Sequence, residues 1–413
     1  MHLLRPISSV ALAIAPLLLS PVLAACGDDG SASATASASG GETTTTSGGE
    51  TTSEGSGSES EGGGAVQKGC DDAVFLEIPE DPAARGPWAV GARTFTIADR
   101  VTEIWYPAKP GSEAGLDPAR YDIRLYLPAD EQGKIPDEAN PFQICECYRD
   151  LPLDEAHGPY PGVIFIHGTA GFRTQSLGFM THWASRGFIV VASDHDGITL
   201  SHILGGGVID ADQPGDARKV AAAVQAAAGD LAWLSGHVDA GRFAASGHSA
   251  GGFAVEALGD HPGMRVLMPM AGKGTVAGPE LQSTLVLGAI DDQIVPFASQ
   301  TSGYDGSPAR KRLVGLSAAG HLAFSDLCVL GAEQGGILQI GLDYGVDIPD
   351  YLIALASDGC GPDNLAPEVG FTIVEAASSA VLAETLQCSS SASATIAGLP
   401  AAYPDIGEFE EGL

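Results

Sequence analysis

Ser249 lies in the pattern Gly-x-Ser-x-Gly, within a stretch that reads RFAASGHSAGGFAVEALG over residues 242–259. A β-type run, 242–246, precedes a turn of small residues, 247–252, and a helix-type run, 253–259, follows it. On such a turn the serine hydroxyl projects from the sheet, and glycines permit the close backbone approach around it. Because 55 of the 413 residues are glycine, the letters alone are weak evidence. Nucleophilic catalysis by Ser249 therefore has to be judged by its partners.

A serine hydroxyl becomes a good nucleophile when an imidazole accepts its proton and a carboxylate orients that imidazole. In one known arrangement the serine, the acid and the histidine follow one another along the chain in that order. The base should then lie after Ser249, where the two histidines are His261 and His321. His261 ends the helix that the serine turn begins, and no acid at a strand end precedes it. His321 follows a strand-like run, 312–317, and opens a helix-like one. We therefore predict that His321 is the base.

The acid is expected where a strand of the sheet ends, because ligands of open α/β sheets bind outside the carboxyl ends of the strands. Asp291 and Asp292 directly follow the strand-like run 284–289. Glu280 and Asp305 lie in turn-like sequence and suit this role less well. Spacing alone does not choose between the two adjacent aspartates.

The oxyanion that forms during acyl transfer needs fixed N–H donors. The backbone of Ala250 is one candidate, because it follows the nucleophile at a helix N-terminus. The backbone of Thr169 is the other, because the loop 168–171 follows the strand-like run 163–167. His167 precedes that loop, and we interpret it as a residue that orders the loop rather than as a second base.

The elements that must position these residues alternate between strands and helices, which predicts an α/β fold with a doubly wound, mostly parallel sheet. Residues 94–107 and 121–128 have the composition of antiparallel strands, and residues 389–413 are rich in small residues and are expected to be loosely ordered. The remaining strands are predicted at 163–167, 188–192, 242–246, 265–270, 284–289 and 312–317, and the helices at 178–186, 214–234, 253–259 and 374–386.

Five motifs together resemble the α/β-hydrolase superfamily: HGTAGFR (167–173), RGFIVVASDHDG (186–197), GHSAGG (247–252), GAIDDQIVP (288–296) and GHLAF (320–324). Within it the chain resembles the dienelactone-hydrolase-like group, which includes platelet-activating-factor acetylhydrolases and bacterial polyester hydrolases. Trp105-Tyr106-Pro107 matches the end of an early strand in that group. The resemblance spans roughly residues 95–330 and implies that the acid is Asp292, four residues before Pro296.

Two segments depart from the group's pattern. The insertion at residues 108–160 has no counterpart that we can place, and the tail from about residue 330 is longer than a single closing helix. Either segment could cover the active site and change its substrate range.

The N-terminus predicts export. Residues 1–25 combine a charged start with an apolar run, as in a secretory signal. Leu23-Ala24-Ala25-Cys26 resembles the lipobox of bacterial lipoproteins and implies lipid attachment to Cys26; an ordinary signal peptide is the alternative. Residues 26–64 are predicted to be a disordered tether of small and acidic residues, and residues 65–413 a single elaborated domain.

Charge and cysteine content narrow the possible partners. The net charge of −32 argues against nucleic acid, whose phosphates would repel the chain. Six cysteines besides Cys26 favour disulfides in an exported protein, and Cys328 with Cys360 is the first choice of pairing; the other four are Cys70, Cys145, Cys147 and Cys388. Metal binding at residues 145–147 or 194–197 is the less favoured interpretation, since neither has a full ligand set.

These observations predict a lipid-anchored serine hydrolase that cleaves carboxylic esters through an acyl-enzyme, without a cofactor. The expected substrate is a small-molecule, lipid or polymer ester, and the sequence leaves the acyl length and the oligomeric state open. Two alternatives stay open: an acyltransferase that uses the same triad, and a catalytically idle lipoprotein that binds at the surface and keeps the fold as a scaffold.

Overall fold

The computed structural model describes residues 65–413. The predicted signal peptide, Cys26 and the predicted tether lie outside these residues. The strands are β1 (Val66–Lys68), β2 (Val74–Leu76), β3 (Ala89–Ile97), β4 (Arg100–Ala108), β5 (Arg120–Tyr121), β6 (Gln143–Ile144), β7 (Tyr148–Arg149), β8 (Tyr160–Ile166), β9 (Ile189–Ser193), β10 (Val238–His248), β11 (Met264–Met270), β12 (Ser283–Ala289), β13 (Lys311–Leu316) and β14 (Ile406–Gly412).

The α-helices are α1 (Leu177–Ser185), α2 (Leu200–Leu204), α3 (Gln213–Ala226), α4 (Ala250–Val255), α5 (Phe297–Gly306), α6 (Gly336–Asp343), α7 (Asp350–Ser357), α8 (Pro367–Leu386) and α9 (Ala392–Ala402). Short 3-10 helices occupy Cys70–Asp72, Ile123–Tyr126, Gln132–Lys134, Gly229–Leu234, Glu256–Leu258, His321–Phe324, Asp326–Cys328 and Ala332–Gln334.

A large mixed sheet organises the molecule, in the order β14-β13-β12-β11-β10-β8-β9-β4-β3-β7. The six strands from β13 to β9 run parallel. At the two ends of this block, β4 is antiparallel to β9 and β14 is antiparallel to β13, and β3 forms a hairpin with β4. The chain passes from β8 out to β9 and returns to β10 on the other side of β8. The prediction of a mixed α/β fold with a mostly parallel central sheet is therefore confirmed.

Alternating residues of the buried strands pack on opposite faces of the sheet, as the period of two requires. In β8, Val163 and Phe165 pack with α1 and α8, whereas Ile164 and Ile166 pack with α3. Apolar residues on both sides explain why this run is continuous rather than alternating in the sequence. The layered core holds the carboxyl ends of β8 and β10 side by side, where the order of connections reverses and ligand sites are expected.

Two predictions about elements were wrong. Residues 121–128 do not form a strand beyond Tyr121, because the Asp122 carboxylate accepts the backbone N–H and the side chain of Arg124 and starts a 3-10 turn instead. Residues 389–413 are not loosely ordered. They contain α9, which packs on α8, and β14, which pairs antiparallel with β13.

The order of this tail comes from long-range contacts. Cys388, just before α9, is bonded to Cys70, and Glu411 of β14 pairs with the buried Arg312 at 2.8 Å. Taken without these partners, the small residues of the tail give little indication of a helix or a strand. The disulfide joins residues 318 positions apart and the ion pair joins residues 99 positions apart in the chain, and local composition does not encode such contacts.

The other predicted helices differ from the structure in where they begin and end. The predicted helix 214–234 is interrupted after α3 by Ala227 and Gly229, both with positive φ, and resumes as a 3-10 helix. The helix after the serine begins at Ala250 rather than residue 253 and gives way to a 3-10 helix at Glu256, and the predicted helix 374–386 begins at Pro367.

This last helix, α8, is the one described helix long and apolar enough to cross a membrane, but 67% of its most apolar window is buried. Such burial is typical of a core helix.

The six cysteines of the described part form three disulfides. The structure pairs Cys328 with Cys360, as favoured from the sequence, and also joins Cys70 to Cys388 and Cys145 to Cys147. Residues 145–147 therefore use both sulfurs in a disulfide. Asp194, from the other possible metal motif, pairs with the guanidinium of Arg173. No group of three His, Cys, Asp or Glu side chains within residues 65–413 is arranged to hold a metal ion.

Candidate active site

Ser249 occupies the sharp turn between β10 and α4. Its backbone has φ 57° and ψ −119°, a conformation that costs a non-glycine residue about 1–3 kcal/mol and that clusters at functional sites. A Cβ at Gly251 would lie 2.0 Å from the Ile166 carbonyl oxygen, and one at Gly247 would lie 2.6 Å from the Gly251 backbone. Glycines are therefore required on both sides of the serine. The turn holds the hydroxyl above the carboxyl end of the sheet.

His321 contacts Ser249 and Asp292 at once. Its Nε2 lies 2.9 Å from the Ser249 Oγ, and its Nδ1 lies 2.9 Å from an Asp292 carboxylate oxygen. The ring is fully buried, in the loop after β13. His261 is elsewhere: its Nε2 donates to the Gln225 side chain on α3. The structure thus brings together the residues predicted from the chain order and leaves the rejected histidine outside.

Asp292 is buried and Asp291 is exposed. One carboxylate oxygen of Asp292 accepts the backbone N–H groups of Ile294 and Val295, at 2.8 and 2.7 Å. The other accepts from the Gln300 side chain at 3.1 Å and faces the His321 Nδ1. Three donors from Ile294, Val295 and Gln300 thus fix the carboxylate toward the imidazole. The geometry selects the aspartate that the family resemblance implied.

The loop after β8 offers one free backbone donor beside the serine. The Gly168 N–H donates to the Gln175 side chain, the Ala170 N–H to the Ile198 carbonyl, and the Gly171 N–H to the Gly168 carbonyl. Within the described part of the chain, the Thr169 N–H has no acceptor, and Thr169 lines the same pocket as Ser249. The Ala250 N–H, in the first turn of α4, also lacks a helical partner. Both predicted donors are available to an oxyanion.

His167 stabilises this loop and has no free nitrogen for proton transfer. Its Nδ1 donates to the Gly168 carbonyl at 2.8 Å, and its Nε2 accepts the His195 backbone N–H at 3.0 Å. Complete burial lowers the pKa of His167 to about 3, so its ring is neutral at physiological pH. These contacts agree with its interpretation as a residue that orders the loop.

A buried network that sequence reasoning missed connects the three loops of the candidate site. The Gln175 Oε1 accepts the Gly168 N–H at 3.0 Å, and its Nε2 donates to the His248 Nδ1 at 2.7 Å. The His248 Nε2 then donates to the His321 carbonyl at 2.8 Å. Burial lowers the pKa of His248 well below its usual range, which keeps this ring neutral. One glutamine and one histidine therefore link the oxyanion loop, the serine turn and the base loop.

The sequence signal for this network was weak. His248 occupies a variable position of the serine motif, and nothing around Gln175 marks it. Asp358 was missed as well, because it lies in the tail that could not be placed. Its carboxylate accepts the backbone N–H groups of His321 at 2.7 Å and Gln293 at 3.1 Å. It thereby joins the base loop to the acid loop.

Replacing Gln175 by Leu tests the network. We expect kcat for an ester to fall about 10- to 100-fold with little change in KM, because two buried polar groups lose their partner and the loops lose their mutual position. Gln387→Leu is the matched control, since this buried glutamine donates to the Arg186 carbonyl outside the pocket. Stability should fall in both variants, but kcat only in Gln175→Leu. An equal kcat in the two variants would exclude a positioning role for Gln175.

The assembled groups have the arrangement that acyl transfer requires. A hydroxyl lies within hydrogen-bond distance of an imidazole, and a carboxylate orients that imidazole. The N–H of Thr169, which lines the same pocket, and that of Ala250, next to Ser249, have no acceptor within the described residues. These are the requirements for attack on a carbonyl carbon and for stabilising the resulting oxyanion.

Part of the chain matches a known protein family. Residues 142–201 match the model of the family described as platelet-activating factor acetylhydrolase, isoform II. The matched segment contains β8, the Thr169 loop and Gln175, and it ends before Ser249. No curated protein sequence matches the chain. The match supports a resemblance to platelet-activating factor acetylhydrolases in this segment.

Proposed function

We propose that the protein is a serine hydrolase of the α/β-hydrolase superfamily that cleaves carboxylic esters through an acyl-enzyme. The observation that carries this proposal is the chain of two 2.9 Å contacts from Ser249 through His321 to Asp292. The mostly parallel sheet and the match to an acetylhydrolase family model support the same reaction class.

In the proposed mechanism the Ser249 Oγ attacks the ester carbonyl while the His321 Nε2 accepts its proton. Asp292 holds the proton of His321 on Nδ1 and stabilises the imidazolium that forms. The N–H groups of Thr169 and Ala250 bind the oxyanion. His321 then protonates the leaving alcohol, and a water molecule activated by the same imidazole releases the acid from Ser249.

The test uses the full chain and two probes. We expect turnover of p-nitrophenyl acetate and covalent labelling by a fluorophosphonate, with the label on the peptide that contains Ser249. A serine without an activating base should not react, so the absence of both turnover and labelling would overturn the proposal and favour an idle scaffold. An acceptor alcohol added to the assay would reveal acyl transfer if an ester replaced the free acid as product.

We further propose that the protein is exported and anchored by lipid on Cys26. The lipobox-like residues 23–26 and the pairing of the six cysteines in the described part support this, because disulfides persist in oxidising compartments.

Replacing Cys26 by Ala in the full chain tests the anchor. The unchanged protein should sediment with membranes and leave them only with detergent, whereas Cys26→Ala should be soluble after cell fractionation because it lacks the acyl chains. Ser31→Ala, a nearby change outside the lipobox-like residues, should behave like the unchanged protein. Continued sedimentation of Cys26→Ala would contradict lipid attachment at this residue.

A further inference from the structure

The pocket that contains Ser249 extends far from the reacting groups. Its lining includes residues of the insertion and of the segment after Cys328 as well as the residues around Ser249. Thr169, His248 and His321 are polar lining residues close to Ser249, and the insertion contributes the polar residues Arg124 and Asn140. The remote part is aliphatic, with lining residues that include Ile123, Leu127, Ile135, Leu338, Leu352 and Leu355.

Both segments that depart from the family pattern build this remote part. We define the cap segment as residues 329–359, which contain α6 and α7 and lie between the bonded Cys328 and Cys360. Leu338 comes from α6 and Leu355 from α7, whereas Ile135 comes from the insertion at residues 108–160. These three side chains of the remote part therefore come from segments outside the large sheet.

The cap segment is attached to the same loop that carries His321. The disulfide closes its base, and Asp358 accepts the His321 N–H at 2.7 Å. On the other side, the Lys134 ammonium of the insertion donates to the Gly345 carbonyl of the cap at 2.7 Å. These attachments hold the aliphatic wall in a defined position relative to Ser249.

The lining offers no free cation for a phosphate or carboxylate. Among the described residues that line the pocket, Arg124 is the one Lys or Arg. Its guanidinium already pairs with Asp122 at 2.6 Å and Asp137 at 2.7 Å and donates to the Ile135 carbonyl. A negative charge entering this pocket would lose its hydration and gain no counter-ion.

We propose that the cap segment and the insertion form a binding site for the aliphatic acyl chain of an uncharged ester, and that Leu338 and Leu355 set the preference for chain length. This inference rests on the proposed function. The inference extends that function by naming the substrate class. The substrates are esters of medium-length fatty acids whose acyl chain carries no charge, rather than acetyl esters or esters of acids with a charged far end.

The full chain should be assayed with p-nitrophenyl acetate, butyrate, hexanoate and octanoate. Each buried methylene adds about 0.8 kcal/mol, so kcat/KM should rise about 2- to 4-fold per methylene up to octanoate. A p-nitrophenyl monoester of an eight-carbon dicarboxylic acid, which carries a terminal carboxylate, should react about 100-fold more slowly than the octanoate.

Variants test the residues. Leu338→Ala and Leu355→Ala should each lower kcat/KM for the octanoate about 5- to 10-fold while leaving the acetate within about 2-fold, because only the long chain reaches these side chains. Both residues are only partly buried, which limits the cost to folding. Leu342→Ala is the matched control, since Leu342 is exposed on the same helix as Leu338 and does not line the pocket. It should change neither rate.

The outcomes separate this inference from the proposed function. Flat or falling rates from acetate to octanoate, with normal acetate turnover and normal fluorophosphonate labelling, would overturn the acyl site alone. Equal losses on acetate and octanoate in both leucine variants would also overturn it. Absence of acetate turnover and of labelling would instead overturn the proposed function. The wild-type series decides the question even if a variant fails to fold.

Discussion

Ser249→Ala is expected to reduce ester hydrolysis by about 10⁴- to 10⁶-fold, to the level that oxyanion donors and binding alone can support. The alanine lacks the Oγ that lies 2.9 Å from the His321 Nε2, so no acyl-enzyme can form. The fold should persist, because the serine side chain has no hydrogen-bond partner other than His321 within the described residues. kcat for p-nitrophenyl butyrate and fluorophosphonate labelling are the measurements.

Ser302→Ala is the control for this variant, since Ser302 is exposed on α5 and does not line the pocket around Ser249. It should retain full turnover and labelling. Circular dichroism should show the same spectrum for both variants. Substantial turnover in Ser249→Ala, with the fold intact, would show that another group attacks the ester.

Asp292→Asn is expected to lower kcat by about 10⁴-fold with a nearly unchanged fold. The backbone N–H groups of Ile294 and Val295 need an acceptor, so they would orient the new amide with its oxygen toward them. The amide nitrogen would then face the His321 Nδ1 and donate to it. That contact places the imidazole proton on Nε2, where it blocks removal of the proton from Ser249.

Asp291→Asn is the matched control, because it makes the same chemical change at an exposed neighbour. Its kcat should stay within about 2-fold of the unchanged protein, as expected for a surface change away from the site. Steady-state kinetics and thermal unfolding of both variants give the comparison. Similar losses in the two variants, or a larger loss in Asp291→Asn, would remove Asp292 from the mechanism.

Much of the core could be predicted because its signals are local. The continuous apolar run of β8, the helix at α1 and the small residues around Ser249 each carry their own pattern, and the alternation of strands and helices then restricts the sheet to parallel crossovers. The expected chain order of serine, acid and histidine excluded His261 as the base, because no acid at a strand end precedes it. These features depend on neighbours a few residues away.

One error came from a local side-chain contact, and the others came from contacts between segments far apart in the chain. Residues 121–128 have the composition of a strand, but Asp122 binds Arg124 and turns the chain. The small residues of the tail gave no sign of β14, whose order depends on pairing with β13 and on the buried Arg312. The sequence did not indicate a role for Gln175, His248 or Asp358 for the same reason, since each joins loops that are far apart in the chain.

The sequence by itself determined the α/β class, and it predicted the order of the candidate site residues and the reaction that a serine with those partners can perform. Only the tertiary structure decided that Asp292 rather than Asp291 points inward, that Thr169 has the free N–H of its loop, and that the cap segment and insertion meet in an aliphatic pocket. The physical reason is that reaction type follows from residue types at short spacing, whereas burial, free donors and pocket shape are created by contacts between segments that the folded sheet brings together.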